Sequence, residues 1–417
     1  MAARLLVLSV DGASADAWQA VAAQFASVSG SVTKVLSEWP LDARSAWAEL
    51  LTGKKFPSSN VFGYARPTSS LSNLDLYTET DIDIAGVFAD TQASGLIVNI
   101  PLMLPAPNRI FSSDGTPGIR AQVDFSEAAG YRPRAYTSVA TARGNLVPTV
   151  EALCRAELAR LSLARNKLET MDCTIACIRI SFFDQIAHIL GADWFLMEKH
   201  VMWPRIQEFM RAANAEIGRL RQLVRRWAVI STFGHTRCEA AINVNLLLER
   251  GGYCARKAAQ PAIRSRELAV AKIRGEDEQF ITNSKLMYEL APQATRAASP
   301  SAACIYINGA DRFVDGNVMP MDRNDLVNSV CDYLSAHLHS PAVRLEKLDS
   351  YGPNAPDIII DAPGMDLSSY SDSAIDVINK PAAVHSKNGF AIISEHEPLS
   401  SFTELHQLNG VFTELVQ

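Results

Sequence analysis

The chain has 417 residues, of which 48% are hydrophobic and 20% are charged, which is ordinary for a globular protein. A chain of this length buries most of its apolar surface, so the sequence predicts a stable core. The formal net charge of -6 argues against a general binder of nucleic-acid phosphates, and we expect no nucleic-acid partner.

Seven cysteines form an odd, scattered set without the spacing of a zinc knuckle. This set is typical of reduced thiols and predicts a cytoplasmic protein. The first apolar run, LLVLSV, ends directly in Asp11-Gly12, so we interpret it as a buried strand rather than a signal segment. No apolar run approaches the length of a membrane span, and we expect no membrane partner.

Five apolar or β-branched runs each end in a polar residue or glycine: LLVLSVDG, SGLIVNIP, CTIACIRISFFD, WAVISTFG and PDIIID. Stretches with helical periodicity lie between them, notably VPTVEALCRAELARLSLARNKLE, EKHVMWPRIQEFMRAANAEIGRLRQLVRRW and RNDLVNSVCDYLSAHL. This alternation predicts an α/β fold with a mostly parallel sheet. In such sheets the site lies at the carboxyl ends of the strands, so we expect the chemistry at these five exits.

Two regions interrupt the alternation of strands and helices. We predict that residues 106–148 and 257–301 are cap or insert segments. Neither an internal repeat nor a Pro/Ser-rich linker divides the chain into independent parts. The sequence therefore predicts a single domain over residues 1–417.

Acidic and histidine residues collect at the predicted strand exits. Asp11 ends the first strand, and His385 precedes the run NGFAII. Asp184 and His188 follow the CIRISFF strand with an i, i+4 spacing that puts both on one face of a helical turn. Carboxylate and imidazole groups are suitable ligands for zinc or manganese. A lone Asp/His pair is more often structural, so the metal site is a hypothesis at this point.

The order of these segments resembles the alkaline phosphatase superfamily, in its type I phosphodiesterase/nucleotide pyrophosphatase branch. The likeness runs from about Leu5 to Ile393. VLSVDG resembles the first metal-ligand strand, WPLDARSAWAELLTG the nucleophile helix, and FFDQIAHIL the Asp-x-x-x-His pair. The resemblance implies a three-layer sandwich, in which helices cover both faces of a mostly parallel central sheet, with a small cap insertion.

The nucleophile helix departs from the superfamily's pattern. Members typically carry Thr-x-Pro-Ala-Trp there, and the gapless match on Ala46-Trp47 places Ala43 at the threonine. The expected hydroxyl nucleophile is therefore missing. Ser45 stands at the proline and is predicted to cap the helix.

The motif of the second metal departs as well. The superfamily's Ser-Asp-His-Gly corresponds here to Ser231-Thr232-Phe233-Gly234, so Thr232 and Phe233 replace two metal ligands. The resemblance then implies one divalent ion, Zn or Mn. Its expected ligands are Asp184, His188 and His385.

Other residues near these motifs are candidates for catalysis or binding. Arg44 follows Ala43 and could pair with Asp11 while offering donors to an anion, although arginines at helix starts are mostly solvated. His235, just past the altered motif, could act as a base or a displaced ligand, with Asp11 the other candidate for handling the proton. Trp47 and Tyr64 are candidate substrate contacts, and Trp47 is equally compatible with the core.

Two functions remain open on the sequence alone. The first is a hydrolase or transferase acting on a phosphate- or sulfate-type ester of nucleotide-like character, with a single metal and no covalent threonine intermediate. The alternative is a pseudoenzyme that binds a nucleotide or a protein partner. Retention of Asp11, Asp184, His188 and His385 at strand exits favours the enzyme. A homodimer is compatible with both functions.

Overall fold

The computed structural model describes residues 3–37, 43–63, 65–89, 95–103, 109–110, 146–191, 200–255, 290–301, 303–338, 344–348, 355–367, 375–394 and 401–417. The chain forms two compact units. The first unit contains residues Met1–Lys55, Thr78–Arg237 and Pro381–Gln417. The second contains Phe56–Tyr77 and Cys238–Lys380.

The strands of the described ranges are, in chain order, β1 Ala3–Ser9, β2 Thr33–Leu36, β3 Ala65–Pro67, β4 Leu74–Leu76, β5 Gly95–Val98, β6 Arg109–Ile110, β7 Cys173–Arg179, β8 Val224–Ser231, β9 Gly234–Ile242, β10 Ala297–Ser301, β11 Cys304–Ile307, β12 Arg344–Lys347, β13 Ile358–Asp361, β14 Met365–Asp366, β15 Ile375–Ser386 and β16 Asn388–Ile393. The α-helices are α1 Ala15–Val21, α2 Ala43–Thr52, α3 Leu146–Thr170, α4 Phe182–Leu190, α5 Trp203–Gln222, α6 Val244–Arg250, α7 Arg323–His337 and α8 Leu408–Val416.

A seven-stranded sheet of order β2-β16-β8-β1-β7-β5-β6 forms the centre of the first unit. β1 pairs in parallel with both β7 and β8, so that Ser9 lies opposite Arg179 and Ile230. β16 runs antiparallel to β8, with Phe390 opposite Ser231. The carboxyl ends of β1, β7 and β8 and the start of β16 therefore lie at one edge. The predicted mostly parallel sheet is confirmed.

In the first unit, helices cover both faces of the seven-stranded sheet. Leu6 and Leu8 of β1 belong to a core cluster that also contains residues of α1, α3 and α5. Leu5 and Val7 point to the other face and are also fully buried, and α8 packs against β1. An apolar run buried on both faces is typical of a central parallel strand, which explains the unbroken sequence LLVL.

The core of the first unit includes an aromatic cluster next to the end of β7. The Trp18 ring stacks on Phe25 with centroids 5.0 Å apart and lies 5.2 Å from Phe390. Phe183 of α4 joins this cluster, with its ring centroid 6.2 Å from that of Trp18. The first turn of α4 is thus anchored in the densest part of the core.

The second unit contains a four-stranded sheet of order β10-β11-β13-β12. The run PDIIID forms β13, which pairs antiparallel with both β11 and β12. The prediction of a fifth parallel strand exit there was wrong. A short, fully buried apolar run has the same sequence signature in either kind of sheet, since both faces are covered.

The two predicted cap segments lie largely outside the described residues. Of residues 106–148, the structure describes β6 and the beginning of α3. Of residues 257–301, it describes 290–301, where β10 forms part of the second unit's sheet. Among the described helices, none is both long enough and apolar enough to cross a bilayer.

Candidate metal centre

Two backbone hydrogen bonds tie together the loops that follow β1, β7 and β8. The Gly12 N–H donates to the Phe233 carbonyl at 3.1 Å, and the Asp184 N–H donates to the Asp11 carbonyl at 3.0 Å. Gly12 has φ +93°, and a Cβ on it would lie 2.4 Å from the Asp184 backbone nitrogen. Glycine is required at this position because both the dihedral and the close approach exclude a side chain.

Four side chains converge at this edge of the sheet: Asp184, His188, His235 and His385. One ligand atom from each lies within 4.8 Å of all the others. Asp184 and His188 come from α4, and the histidines at 235 and 385 come from β9 and β15. The structure thus brings together the three predicted ligands and adds His235, for which the sequence suggested either a base or a displaced ligand.

One oxygen of Asp184 faces three imidazole nitrogens. Asp184 Oδ1 lies 3.0 Å from His385 Nε2, 3.4 Å from His188 Nε2 and 3.5 Å from His235 Nε2. His188 Nε2 and His385 Nε2 are themselves 3.1 Å apart. Three imidazoles and one carboxylate with converging ligand atoms are a suitable donor set for a divalent transition-metal ion.

His235 is held in the protonation state that metal binding requires. Its Nδ1 lies 2.9 Å from the Gly12 carbonyl, which only accepts, so Nδ1 carries the proton and donates. Nε2 therefore has a lone pair, is completely buried and has no hydrogen-bond partner among the described residues. Burial, followed by the nearby charges of His385 and His188, holds the pKa of His235 well below its ordinary value.

Asp184 stays ionised despite its position in the cluster. Burial by itself raises the pKa of this carboxyl. The hydrogen bonds from His188 and His385, together with their charges, outweigh burial and hold the pKa well below its ordinary value. The carboxylate is therefore available as an anionic ligand.

The start of α4, which carries Asp184, is fixed by a buried polar network. Glu157 Oε1 accepts from the Ser181 N–H at 3.2 Å and from the Ser181 hydroxyl at 2.8 Å. Arg160 Nη1 donates to the other Glu157 oxygen at 2.6 Å. In addition, the Phe182 ring stacks on Phe209 with centroids 4.1 Å apart. A carboxylate at a helix N-terminus also interacts favourably with the helix dipole.

Asp11 is completely buried and accepts five hydrogen bonds. Its Oδ1 accepts from the Ser9 hydroxyl at 2.5 Å and from the Thr232 hydroxyl and N–H at 2.8 and 3.1 Å. Its Oδ2 accepts from Trp47 Nε1 at 2.7 Å and from Arg179 Nε at 2.6 Å. A carboxylate offers about four lone-pair sites, so Asp11 has no acceptor capacity left for an ion or a proton.

The guanidinium that the structure places on Asp11 belongs to Arg179, whereas the sequence suggested Arg44. Arg44 is buried in the first turn of α2. The sequence analysis did not single out Arg179. A signal was present, since a charged residue at the end of the apolar run CTIACIR is unusual. The last residue of β7 reaches Asp11 because β1 and β7 are neighbours in parallel register.

Solved structures with the same architecture include phosphonoacetate hydrolase from Sinorhizobium meliloti 1021 in complex with phosphonoacetate. Its TM-score is 0.57 at 12% identity, over 100% of this chain and 95% of that one. Human ectonucleotide pyrophosphatase/phosphodiesterase 5 gives 0.55 at 11% identity, over 99% of this chain and 94% of that one. An inactive murine form in complex with AMP gives 0.53 at 12% identity, over 99% and 95%. No family profile and no curated protein sequence matches the chain.

This chain has the alkaline phosphatase fold. Identities of 11–12% support the fold alone, so the activity has to be argued from the site. Within this fold, the residues at the two altered motifs have definite structural roles. Thr232 donates twice to Asp11, and the buried Phe233 ring lies 4.4 Å from the His385 ring. Ala43 is the first residue of α2.

The sequence of this alkaline phosphatase-like chain predicts two substrate contacts, Tyr64 and Trp47. Tyr64 lies outside the described residues. Trp47 is 0% exposed and directs its indole N–H at Asp11. Its side chain therefore supports Asp11, and a contact with substrate stays a prediction.

Replacing Trp47 with phenylalanine tests this supporting role. The variant keeps most of the apolar volume but removes one charge-assisted hydrogen bond from a buried carboxylate. We expect the free energy of unfolding to fall by about 1.5–3 kcal/mol, measured by urea denaturation. Trp18→Phe, which removes the same atoms from the aromatic cluster, is the matched control. A loss for Trp47→Phe no larger than for Trp18→Phe would contradict the role.

Proposed function

We propose that this protein is a metal-dependent enzyme that hydrolyses, or transfers to an acceptor, the phosphate-type group of a small anionic ester of nucleotide-like character. One divalent ion, zinc or manganese, is held by Asp184, His188, His235 and His385. The observation that carries the proposal is the convergence of four ligand atoms, one of them the buried Nε2 of His235, which has no hydrogen-bond partner within the described ranges. The small anions bound in two solved structures of the same fold, AMP and phosphonoacetate, support the substrate class.

The residues present fit such an ion in number and type. His235 and Asp184 form the buried floor of the cluster, with side chains 0% and 10% exposed. His188 and His385 are 26% and 18% exposed, so a substrate approaches the cluster from their side. A bound divalent ion supplies Lewis-acid activation of an anionic oxygen and of water.

The chain's own residues favour direct attack by water or an acceptor over a covalent intermediate. Ala43 offers no nucleophilic oxygen at the start of α2. Asp11 is a positioning group rather than a base in this proposal, because all of its acceptor sites are used within the protein. His235 serves as a ligand, because its one available lone pair points into the cluster.

The first test measures metal content and turnover together. The purified protein is expected to bind one equivalent of zinc or manganese and to turn over members of a panel of nucleotide diesters, sulfate esters and phosphonates. His188→Ala is expected to abolish both properties. His337→Ala, on the exposed end of α7 in the second unit, is the control and should change neither. Unchanged turnover in His188→Ala would refute the proposal.

The stereochemical course tests the absence of a covalent intermediate. With a substrate of the panel made chiral at phosphorus by isotopes or sulfur, a single displacement inverts the configuration. Two displacements through an enzyme nucleophile would retain it. We expect inversion, and retention would show that a side chain takes the phosphoryl group.

A pseudoenzyme is the second candidate, favoured by the occupation of Asp11 by Arg179, Thr232 and Trp47. Such a protein would retain the fold to bind a nucleotide or a protein partner. Calorimetric binding of AMP together with no turnover across the whole panel, in metal-loaded protein, would favour it over the enzyme.

A further inference from the structure

Arg179 is a buried cation between the two carboxylates of the site. Its Nε donates to Asp11 Oδ2 at 2.6 Å, and its Nη2 lies 3.7 Å from Asp184 Oδ2. The Arg179 side chain is 2% exposed. Removing a carboxylate from water is costly unless a cation compensates it, and here the compensating cation is part of the chain.

The backbone of Arg179 is fixed on two sides, so this cation is a permanent part of the site. The neighbouring Ile180 N–H donates to the Ser9 carbonyl of β1 at 2.7 Å. Asn99 Nδ2 donates to the Arg179 carbonyl at 3.2 Å. These bonds place the guanidinium against Asp11 by the register of β1 and β7.

The position of Arg179 also determines which oxygen of Asp184 faces the histidines. Asp184 Oδ2 is on the side of the guanidinium, while Oδ1 is the atom that lies 3.0–3.5 Å from the three imidazole nitrogens. A divalent ion at Asp11 would meet a guanidinium carrying the same sign of charge at contact distance. The electrostatic repulsion and the lack of space both oppose a second ion.

We infer that Arg179 is a positioning residue, a built-in cation that limits this site to one divalent ion. The inference rests on the proposed function for the identity of the first ion. It concerns the number of ions that the site can hold. It identifies Arg179 as the group that occupies the position beside Asp11. Thr232 and Phe233 complete this arrangement, since the Thr232 hydroxyl contacts Asp11 at 2.8 Å and the Phe233 ring lies against His385.

The experiment compares three residues at position 179 in a background that offers further ligands. Thr232→Asp/Phe233→His adds a carboxylate and an imidazole beside Asp11. In this background, protein with Arg179, with Arg179→Lys and with Arg179→Met is stripped of metal and titrated with Mn²⁺ by calorimetry. Bound metal is then counted by mass spectrometry after dialysis.

We expect one additional bound ion in the Arg179→Met protein, relative to the proteins that keep Arg179 or carry lysine. Equal numbers of ions in the three proteins would overturn the inference. Two ions in the Thr232→Asp/Phe233→His protein with Arg179 intact would overturn it as well. Circular dichroism and thermal unfolding establish that each protein is folded before titration.

The proposed function and the inference about Arg179 are contradicted by different results. That proposal fails if the wild-type chain binds no ion, whereas the inference concerns only the difference between arginine, lysine and methionine at position 179. If the Arg179→Met protein is unfolded without metal, its refolding with Mn²⁺ gives the readout. Recovery with two ions supports the inference, and failure of Mn²⁺ to restore the fold contradicts it.

Discussion

Replacing His235 with alanine is expected to lower the affinity for zinc or manganese by more than about 100-fold, the upper range for losing an outer-shell partner of a metal ligand. His235 contributes the most buried side chain of the cluster, burial holds its pKa well below the ordinary value, and its Nδ1 donates to the Gly12 carbonyl. The metal-dependent part of the stability should fall with it. For an ion present at 1,000 times the wild-type Kd, that part is about 4 kcal/mol, and a 100-fold weaker affinity leaves about 1.4 kcal/mol of it.

Calorimetric titration and thermal unfolding with and without metal measure both effects of His235→Ala. His337→Ala serves again as the control, because it removes an imidazole on α7 of the second unit. We expect wild-type affinity in the control, and in His235→Ala a metal-induced rise of Tm that is at most about a third of the wild-type rise. A full metal-induced rise of Tm in His235→Ala would exclude His235 as a ligand.

Replacing Gly12 with alanine is expected to lower the free energy of unfolding by about 3 kcal/mol or more, because two separate costs add. The added Cβ would lie 2.4 Å from the backbone nitrogen and 2.5 Å from the Cα of Asp184. The φ of +93° is also unfavourable for alanine. Since backbone atoms cannot rotate away, α4 must shift and the metal affinity should fall as well.

Gly252→Ala separates these two costs. Gly252 in the second unit has φ +74°, but a Cβ there meets nothing within 4 Å. We expect this control to lose about 1–2 kcal/mol from the backbone alone and to keep its metal affinity. Urea denaturation and metal titration of both variants measure the effects. Equal losses for the two glycines would show that the contact with Asp184 is unimportant.

The fold and the convergence of three of the four clustered side chains could be predicted because their signals are local. The i, i+4 spacing of Asp184 and His188 survives any packing of the helix that carries them. The strand exits follow from apolar runs that end in polar residues. His385 was recognised from the segment after it, NGFAII, which forms β16.

The partners of Asp11 could not be predicted because they depend on which strands are neighbours. Arg179 and Thr232 are separated from Asp11 by 168 and 221 residues. Only the sheet order brings β7 and β8 to the two sides of β1. Nearness along the chain could not identify Arg179, because the pairing of β1 with β7 brings it to Asp11.

The late position of His385 in the chain has a consequence for biosynthesis. Asp184 and His385 are 201 residues apart, and most of the second unit is translated between them. A nascent polypeptide carries the aspartate and two of the histidines long before β15 leaves the ribosome. The cluster is complete only after the whole of the second unit has been translated, so under the proposed function the ion is captured after that stage of synthesis.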